Sequence, residues 1–246
     1  MGGAPAALPG VGGAMDAPVP DDRLGESALV LFSGGQDSTT CLYWAKARFD
    51  RVEALGFDYG QRHAVELVQA VTIAALAGVP YTVLDLRGTL GGSALTEAEK
   101  DVNAPHERAP ELPASFVPGR NAVFLAHAAA FAYTRGIRDL VGGMCQADYS
   151  GYPDCRLDFI EAMARALGLA LGTDLRIHTP LMHLTKAETW RLAKELGCLD
   201  VIVEHSHTDY HGDRSERHPW GYGRLDNPAS VLRARGYEEA KAKGWI

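Results

Sequence analysis

Cysteine is scarce in this 246-residue chain and nowhere set at metal-ligand spacing. Cys41, Cys145, Cys155 and Cys198 stand far apart with no C-x-x-C pair, which argues against a disulfide framework or a cysteine zinc site and fits a reducing cytoplasm. Positive charge is also short. The chain has 24 Lys and Arg against 31 Asp and Glu, a formal net charge of -7, so it offers no broad attraction to nucleic acid or an anionic membrane. A small-molecule substrate is expected. No apolar run is long enough to cross a bilayer, and there is no internal repeat. Residues 1–26 are rich in Gly, Ala and Pro but lack the basic n-region of a secretory signal. They read as a disordered extension in which Met15 offers an alternative start.

The remaining composition, 46% hydrophobic and 22% charged, suits one sizeable core. From Ser27 onward strand-like and helix-like segments alternate, which predicts an α/β fold with a doubly wound parallel sheet over 27–184 and a smaller helical and loop region over 185–246. Strands are expected at Ala28–Phe32, Val52–Phe57, Tyr81–Leu86, Asp139–Gly142 and Arg176–His178. Helices are expected at Asp37–Arg48, His63–Ala77, Asn121–Thr134 and Asp158–Leu171. Arg87–Gly119 has no period and several prolines, and reads as a long functional loop. Thr185-Lys186-Ala187-Glu188 has the form of a capping box opening a helix through Leu196. A His- and Gly-rich stretch and a final helix over Pro228–Lys243 complete the chain.

The first strand runs into Ser33-Gly34-Gly35-Gln36-Asp37-Ser38 and then a helix. Backbone N–H groups of a Gly-rich turn, together with the positive end of the next helix, seat phosphate oxygens. The Gly-Lys-Ser/Thr ending of the common NTPase loop is missing. The order Ser-Gly-Gly-x-Asp-Ser instead resembles the PP-loop ATP pyrophosphatases, which split ATP at the α-phosphorus to leave an adenylate. Three further polar clusters fall at the carboxyl ends of the expected strands, where doubly wound sheets bind ligands. They are Phe57–His63, Phe116–Asn121 and Asp148–Arg156. Each has a plain alternative: Asp58 and Arg62 as turn residues, Asp154 as a helix cap, Arg156 as an ion-pair partner of Asp154 or Asp158.

Taken together, these blocks and Thr179-Pro180-Leu181-Met182 through Lys186-Ala187-Glu188-Thr189-Trp190 resemble the 7-cyano-7-deazaguanine synthases over about Ala28–Tyr237. The resemblance implies conversion of 7-carboxy-7-deazaguanine and ammonia to the nitrile, with ATP and Mg²⁺, in the adenine-nucleotide-hydrolase-like fold and as a possible homodimer. Neither hydroxide nor oxide is a tolerable leaving group, so adenylation of the acid and then of the amide makes chemical sense. The ATP loop would comprise Phe32, Ser33, Gly34, Gly35, Gln36, Asp37, Ser38, Thr39, Thr40, Cys41 and Leu42, with Asp37 acting through Mg²⁺. Arg120 and Lys186 are candidates to neutralise phosphate or the substrate carboxylate. His63 is a candidate base. Asp58, Tyr59, Arg62, Asp148, Tyr149, Tyr152, Asp154 and Arg156 are candidates to bind the base or the acid.

Family members usually carry a zinc site near the C-terminus, formed by one cysteine and a later C-x-x-C-x-x-C. Here those positions hold Asp209, Arg224, Asn227 and Ser230. Arg224 cannot ligate zinc, and His205, His207, His211 and His218, together with Asp209, are candidate substitutes. No metal is therefore expected in the tail. A zinc-free synthase and a paralogue with another acid, amide or amine substrate stay open. Another PP-loop enzyme, such as a tRNA thiolase, finds neither the cysteine pair nor the basic face it would want.

Overall fold

Alternate residues of the first strand face opposite ways, and that alternation sets the layering. In the computed structural model, which describes residues 24–61, 65–97, 104–107, 109–147, 151–208, 212 and 214–246, Ala28 and Val30 of β1 (Gly25–Leu31), with Phe32 just beyond it, pack on one side. Their partners are Cys41, Leu42 and Ala45 of α1 (Gln36–Lys46) and Ala70, Ile73 and Ala74 of α2 (Val65–Ala77). Leu29 faces the other side, towards Leu125, Ala128 and Ala129 of α3 (Arg120–Tyr133) and Ile160 of α4 (Leu157–Leu171). Helices therefore cover both faces, as the alternating sequence pattern requires.

The sheet is completed by β2 (Phe49–Asp58) and β3 (Tyr81–Asp85) on one flank of β1. A short hairpin, β4 (Pro105–His106) and β5 (Ala109–Pro113), lies apart from it. On the other flank come β6 (Asp139–Val141) and β7 (Arg176–His178). All pairings in the main sheet are parallel, and its order is β3-β2-β1-β6-β7. The order reverses between β1 and β6. That switch point is where such sheets open a crevice for ligands.

Two boundaries differ from the sequence reading. β1 begins at Gly25 and pairs there with Phe49, so the strand enters the stretch assigned to the 1–26 extension. Polar residues such as Glu26 and Asp50 carry the ladder past the core, where an apolar pattern cannot trace it. The Arg87–Gly119 segment is also more structured than expected: besides the hairpin, Ala94 N–H and Ser93 Oγ both donate to the Ala114 carbonyl at 2.8 and 3.0 Å. Prolines at both ends of the hairpin hid it, since proline suits only edges and strand ends.

In the tail, α5 (Lys186–Glu195) opens with the expected capping box: Glu188 N–H donates to Thr185 Oγ1 at 3.3 Å and Thr185 N–H to Glu188 Oε2 at 2.8 Å. α6 (Leu199–His205), the hairpin of β8 (Arg217–His218) and β9 (Gly221–Tyr222), and α7 (Pro228–Ala242) follow. Trp190, Ile202, Trp220 and Ala240 form their shared core. Neither α6 nor the β8–β9 hairpin was marked in the sequence. Leu192 and Val201 also join the α1/α2 side of the main core, which fixes the tail beside the switch point.

Candidate active site

The loop between β1 and α1 is shaped by backbone. Gly34 has φ +85°, and a Cβ there would come within 2.8 Å of both the Glu66 carbonyl oxygen and the Ala70 nitrogen of α2. Only glycine meets both demands. Gly35 caps α1 without a side-chain hydrogen bond, so the helix's first N–H groups and its positive end are left for a ligand. Ser38 Oγ lies 3.2 Å from Ser33 Oγ and donates to the Gly35 carbonyl at 3.2 Å, bracing the turn. The Gln36 amide and the Thr39 hydroxyl are buried with no hydrogen-bond partner among the described residues. An unmet buried polar group costs about 1–3 kcal/mol. Open helix N–H groups and unmet polar atoms beside a glycine cradle fit the phosphates of ATP, and Asp37 at the mouth fits Mg²⁺. Cys41 and Leu42 face the core instead, and Thr40 Oγ1 bonds back to the Gln36 carbonyl at 3.0 Å, so these three seat the helix rather than line its mouth.

Lys186 comes to the same mouth from the tail. Its Nζ donates to both Asp37 oxygens, at 2.8 and 3.0 Å. Gly236 of α7 makes room for it, since a Cβ there would lie 2.6 Å from Lys186 Cγ. A second link from the tail is the His207 N–H, which donates to the Gly34 carbonyl at 3.2 Å. The His207 segment is held in turn by Arg233 of α7, whose side chain is fully buried. Its guanidinium donates to Ser206 Oγ (2.8 Å), Thr208 Oγ1 (2.9 Å), the Ile202 carbonyl (3.0 Å) and the Trp220 carbonyl (2.9 and 3.1 Å). Burial pushes this guanidinium below its ordinary range, with the charge of Asp37 pulling the other way. Sequence inspection missed Arg233 because it reads as one more charge on a basic helix.

Arg120 starts α3 between aromatic and acidic neighbours. Burial works against its charge, but Tyr59, Tyr152, Asp154 and Cys155 around it hold the guanidinium above its ordinary value. Asp154 takes the plain role foreseen for it: Oδ2 accepts the Asn121 N–H at 2.9 Å, capping α3. Tyr152 is buried, with its hydroxyl 2.8 Å from Ser115 Oγ and its ring 5.4 Å from Phe116. Tyr59 packs on Phe124 at 5.5 Å. The cluster also contains Glu66, which the sequence reading passed over. Burial raises its carboxyl to about 7 despite the opposing charge of Arg120. Its one sequence signal is that it is the sole charged residue of α2.

Asp58 and Arg156 stand apart from this arrangement. Asp58 Oδ1 accepts the Gly60 N–H at 3.1 Å and Oδ2 lies 3.7 Å from Arg87, a turn residue's contacts. Arg156 is exposed and makes neither of the ion pairs considered for it with Asp154 or Asp158. Arg62, His63, Asp148 and Tyr149 lie outside the described residues, as do Asp209 and His211.

The described zinc-equivalent positions do other work. Asn227 Oδ1 accepts the Ser230 N–H at 3.1 Å as the cap of α7, Ser230 is buried, and Arg224 sits 3.5 Å from Glu216. His218 stacks on Trp220 at 4.7 Å. Among the described residues no three His, Cys, Asp or Glu side chains come together as a metal site.

Comparison with known proteins agrees with this geometry. The family model described as "Queuosine biosynthesis protein QueC" matches residues 27–241. The 7-cyano-7-deazaguanine synthase 1 of Rhodopseudomonas palustris (strain HaA2) is 51% identical over 93% of this chain and 99% of its own length. The 7-cyano-7-deazaguanine synthase of Wolinella succinogenes is 51% identical, covering 87% of this chain and 94% of its own. That of Caulobacter vibrioides (strain NA1000 / CB15N) is 53% identical, covering 87% and 93%. With a family match over most of its length and relatives sharing half its residues, the chain belongs to the QueC family of queuosine biosynthesis proteins.

Proposed function

We propose that this chain is an ATP-dependent 7-cyano-7-deazaguanine synthase that turns 7-carboxy-7-deazaguanine and ammonia into the nitrile without a tail zinc. The observation that carries this reading is the pairing of Asp37 with Lys186 at the mouth of an open-capped glycine loop. Ser33, Gly34, Gly35, Ser38 and the first turn of α1 hold the phosphates, and Lys186, held at the same mouth by Asp37, presents its charge to them. Asp37 would hold Mg²⁺, which when bound would supply neutralising charge for the pyrophosphate. Arg120 receives the substrate carboxylate, and Tyr59 and Tyr152 offer faces on which the deazaguanine stacks. Preorganised donors aimed at the departing pyrophosphate and at the acyl oxygen supply much of the rate.

The test is incubation with ATP, Mg²⁺, ammonium and 7-carboxy-7-deazaguanine under zinc chelation, with products followed by mass spectrometry. Nitrile accumulation is the expected result. Amide or adenylate as the end product, or ATP binding with no pyrophosphate released, would give the chain a different reaction.

The place of action proposed is the cytoplasm, where Cys41, Cys145, Cys155 and Cys198, all free thiols, stay reduced. Among the described residues no helix is long and apolar enough to cross a membrane. A homodimer is proposed as the working form. Val68 and Val71 of α2 are 61% and 56% exposed on one helix face, an apolar surface of the kind a second copy covers. Sedimentation of Val71→Glu is expected to show monomers where the parent shows dimers; equal masses would move the interface elsewhere.

A further inference from the structure

Glu66 has no evident structural duty. Among the described residues its carboxylate forms no cap, hydrogen bond or ion pair, although it sits on an otherwise uncharged helix against the sheet. Its backbone abuts the phosphate loop, since the Glu66 carbonyl is one of the two atoms that forbid a Cβ on Gly34. Its side chain is faced by Tyr59 from the end of β2, Tyr81 of β3 and Arg120 of α3. Glu66 thus lies beside the loop that would hold the α-phosphate, and the charge of the arginine that would receive the acid acts on its carboxylate.

Resting on the reaction proposed above, we infer that Glu66 is the base that removes a nitrogen-bound proton each time an adenylate collapses. In the first collapse ammonia's lone pair forms the C–N bond, the C–O bond to AMP breaks with its electron pair leaving on AMP, and one N–H proton passes to the Glu66 carboxylate. The products are amide, AMP and a protonated Glu66, which returns its proton to solvent. In the second, the amide oxygen displaces pyrophosphate from ATP and one of the two N–H protons passes to solvent, so the adenylated amide carries one remaining N–H. Glu66 takes that proton as the nitrogen electrons close the C≡N bond and the C–O bond to the second AMP breaks.

The surroundings suit this duty. An ordinary carboxylate is a weak base near neutrality, whereas one raised to about 7 by burial matches the working pH. Arg120 limits the rise. The hydroxyls of Tyr59 and Tyr81 are themselves pushed up by burial, so they stay neutral and do not compete for the proton.

The experiment separates the half-reactions of Glu66→Gln and Glu66→Asp. Pyrophosphate release with the acid alone, a step without nitrogen, is expected to stay within about threefold of the parent in Glu66→Gln. Amide and nitrile formation should fall about 100-fold or more. In the parent, with free ammonia held constant across the series, amide formation should climb as pH rises through about 7, since the base acts deprotonated. That limb should vanish in Glu66→Gln and persist, shifted, in Glu66→Asp, which also serves if the glutamine variant folds poorly. Equal loss of both half-reactions would reduce Glu66 to a support for the loop, and an unchanged limb in Glu66→Gln would assign the proton to another group. A parent protein that adenylates no such acid would overturn the reaction itself, and with it this role.

Discussion

Arg233→Met is expected to lower the stability of the chain by about 2–4 kcal/mol and to weaken ATP binding about tenfold. Two terms compete. Methionine removes a buried charge with no carboxylate bonded to it, which relieves a desolvation cost. It also strips partners from the Ile202 and Trp220 carbonyls and the Ser206 and Thr208 hydroxyls, all in the tail core. The Ile202 carbonyl keeps the Ser206 N–H and hydroxyl as donors, but the Trp220 carbonyl loses two bonds and the Thr208 hydroxyl one, and unmet groups at about 1–3 kcal/mol each outweigh the relief. For a chain of this size the melting temperature should drop by roughly 5–15 °C. The effect on ATP follows from the Ser206–Thr208 segment: once loosened, His207 no longer fixes the Gly34 carbonyl. Calorimetry and nucleotide titration on the same variant check both halves, and a normal melt would show that the buried guanidinium is not the clip.

Lys186→Met should cut kcat/KM for ATP by about 100- to 1000-fold while changing stability little. The Lys186 side chain is only 12% exposed and its two bonds to Asp37 hold it at the mouth of α1, so its charge is already in place when phosphate arrives. Preorganised charge of this kind acts at no reorganisation cost. Asp37 is 30% exposed, and losing its partner leaves it hydrated, which is why the fold should tolerate the change. Gly236→Ala should reproduce part of the defect by displacing Lys186 at Cβ and Cγ. Steady-state kinetics with pyrophosphate detection reads both variants. A loss under about threefold in Lys186→Met would make the pair a structural salt bridge only.

Local patterns carried the parts of this molecule that local forces make. Apolar alternation marked the five sheet strands, the glycine loop announced itself, and Thr185 with Glu188 marked the start of α5. The failures are residues whose meaning comes from distant neighbours. Glu66 looks like a solvent-facing carboxylate until Tyr59, Tyr81 and Arg120 are folded around it. Arg233 is indistinguishable in sequence from Arg235. Asp154 carried two meanings, base recognition and helix capping, and only the position of the Asn121 N–H shows that capping occupies one oxygen. The Pro105–Pro113 hairpin broke the rules for strands because its pairing is set by the surrounding chain. Asn227 at a missing zinc position gave no hint that it caps α7.

The tail's grip on the glycine loop has a consequence for how the protein is made. Asp37 and Lys186 lie 149 positions apart, and the helix carrying Arg233 comes later still. At common elongation rates of about 5–20 residues per second, roughly 7–30 s separate the two partners at the ribosome. During that interval the sheet can form around β1, but its nucleotide loop lacks the lysine and the His207 brace. With the roles proposed for Asp37 and Lys186, competence to split ATP is expected to arrive with the last helix, leaving a prematurely terminated chain unable to hydrolyse ATP wastefully.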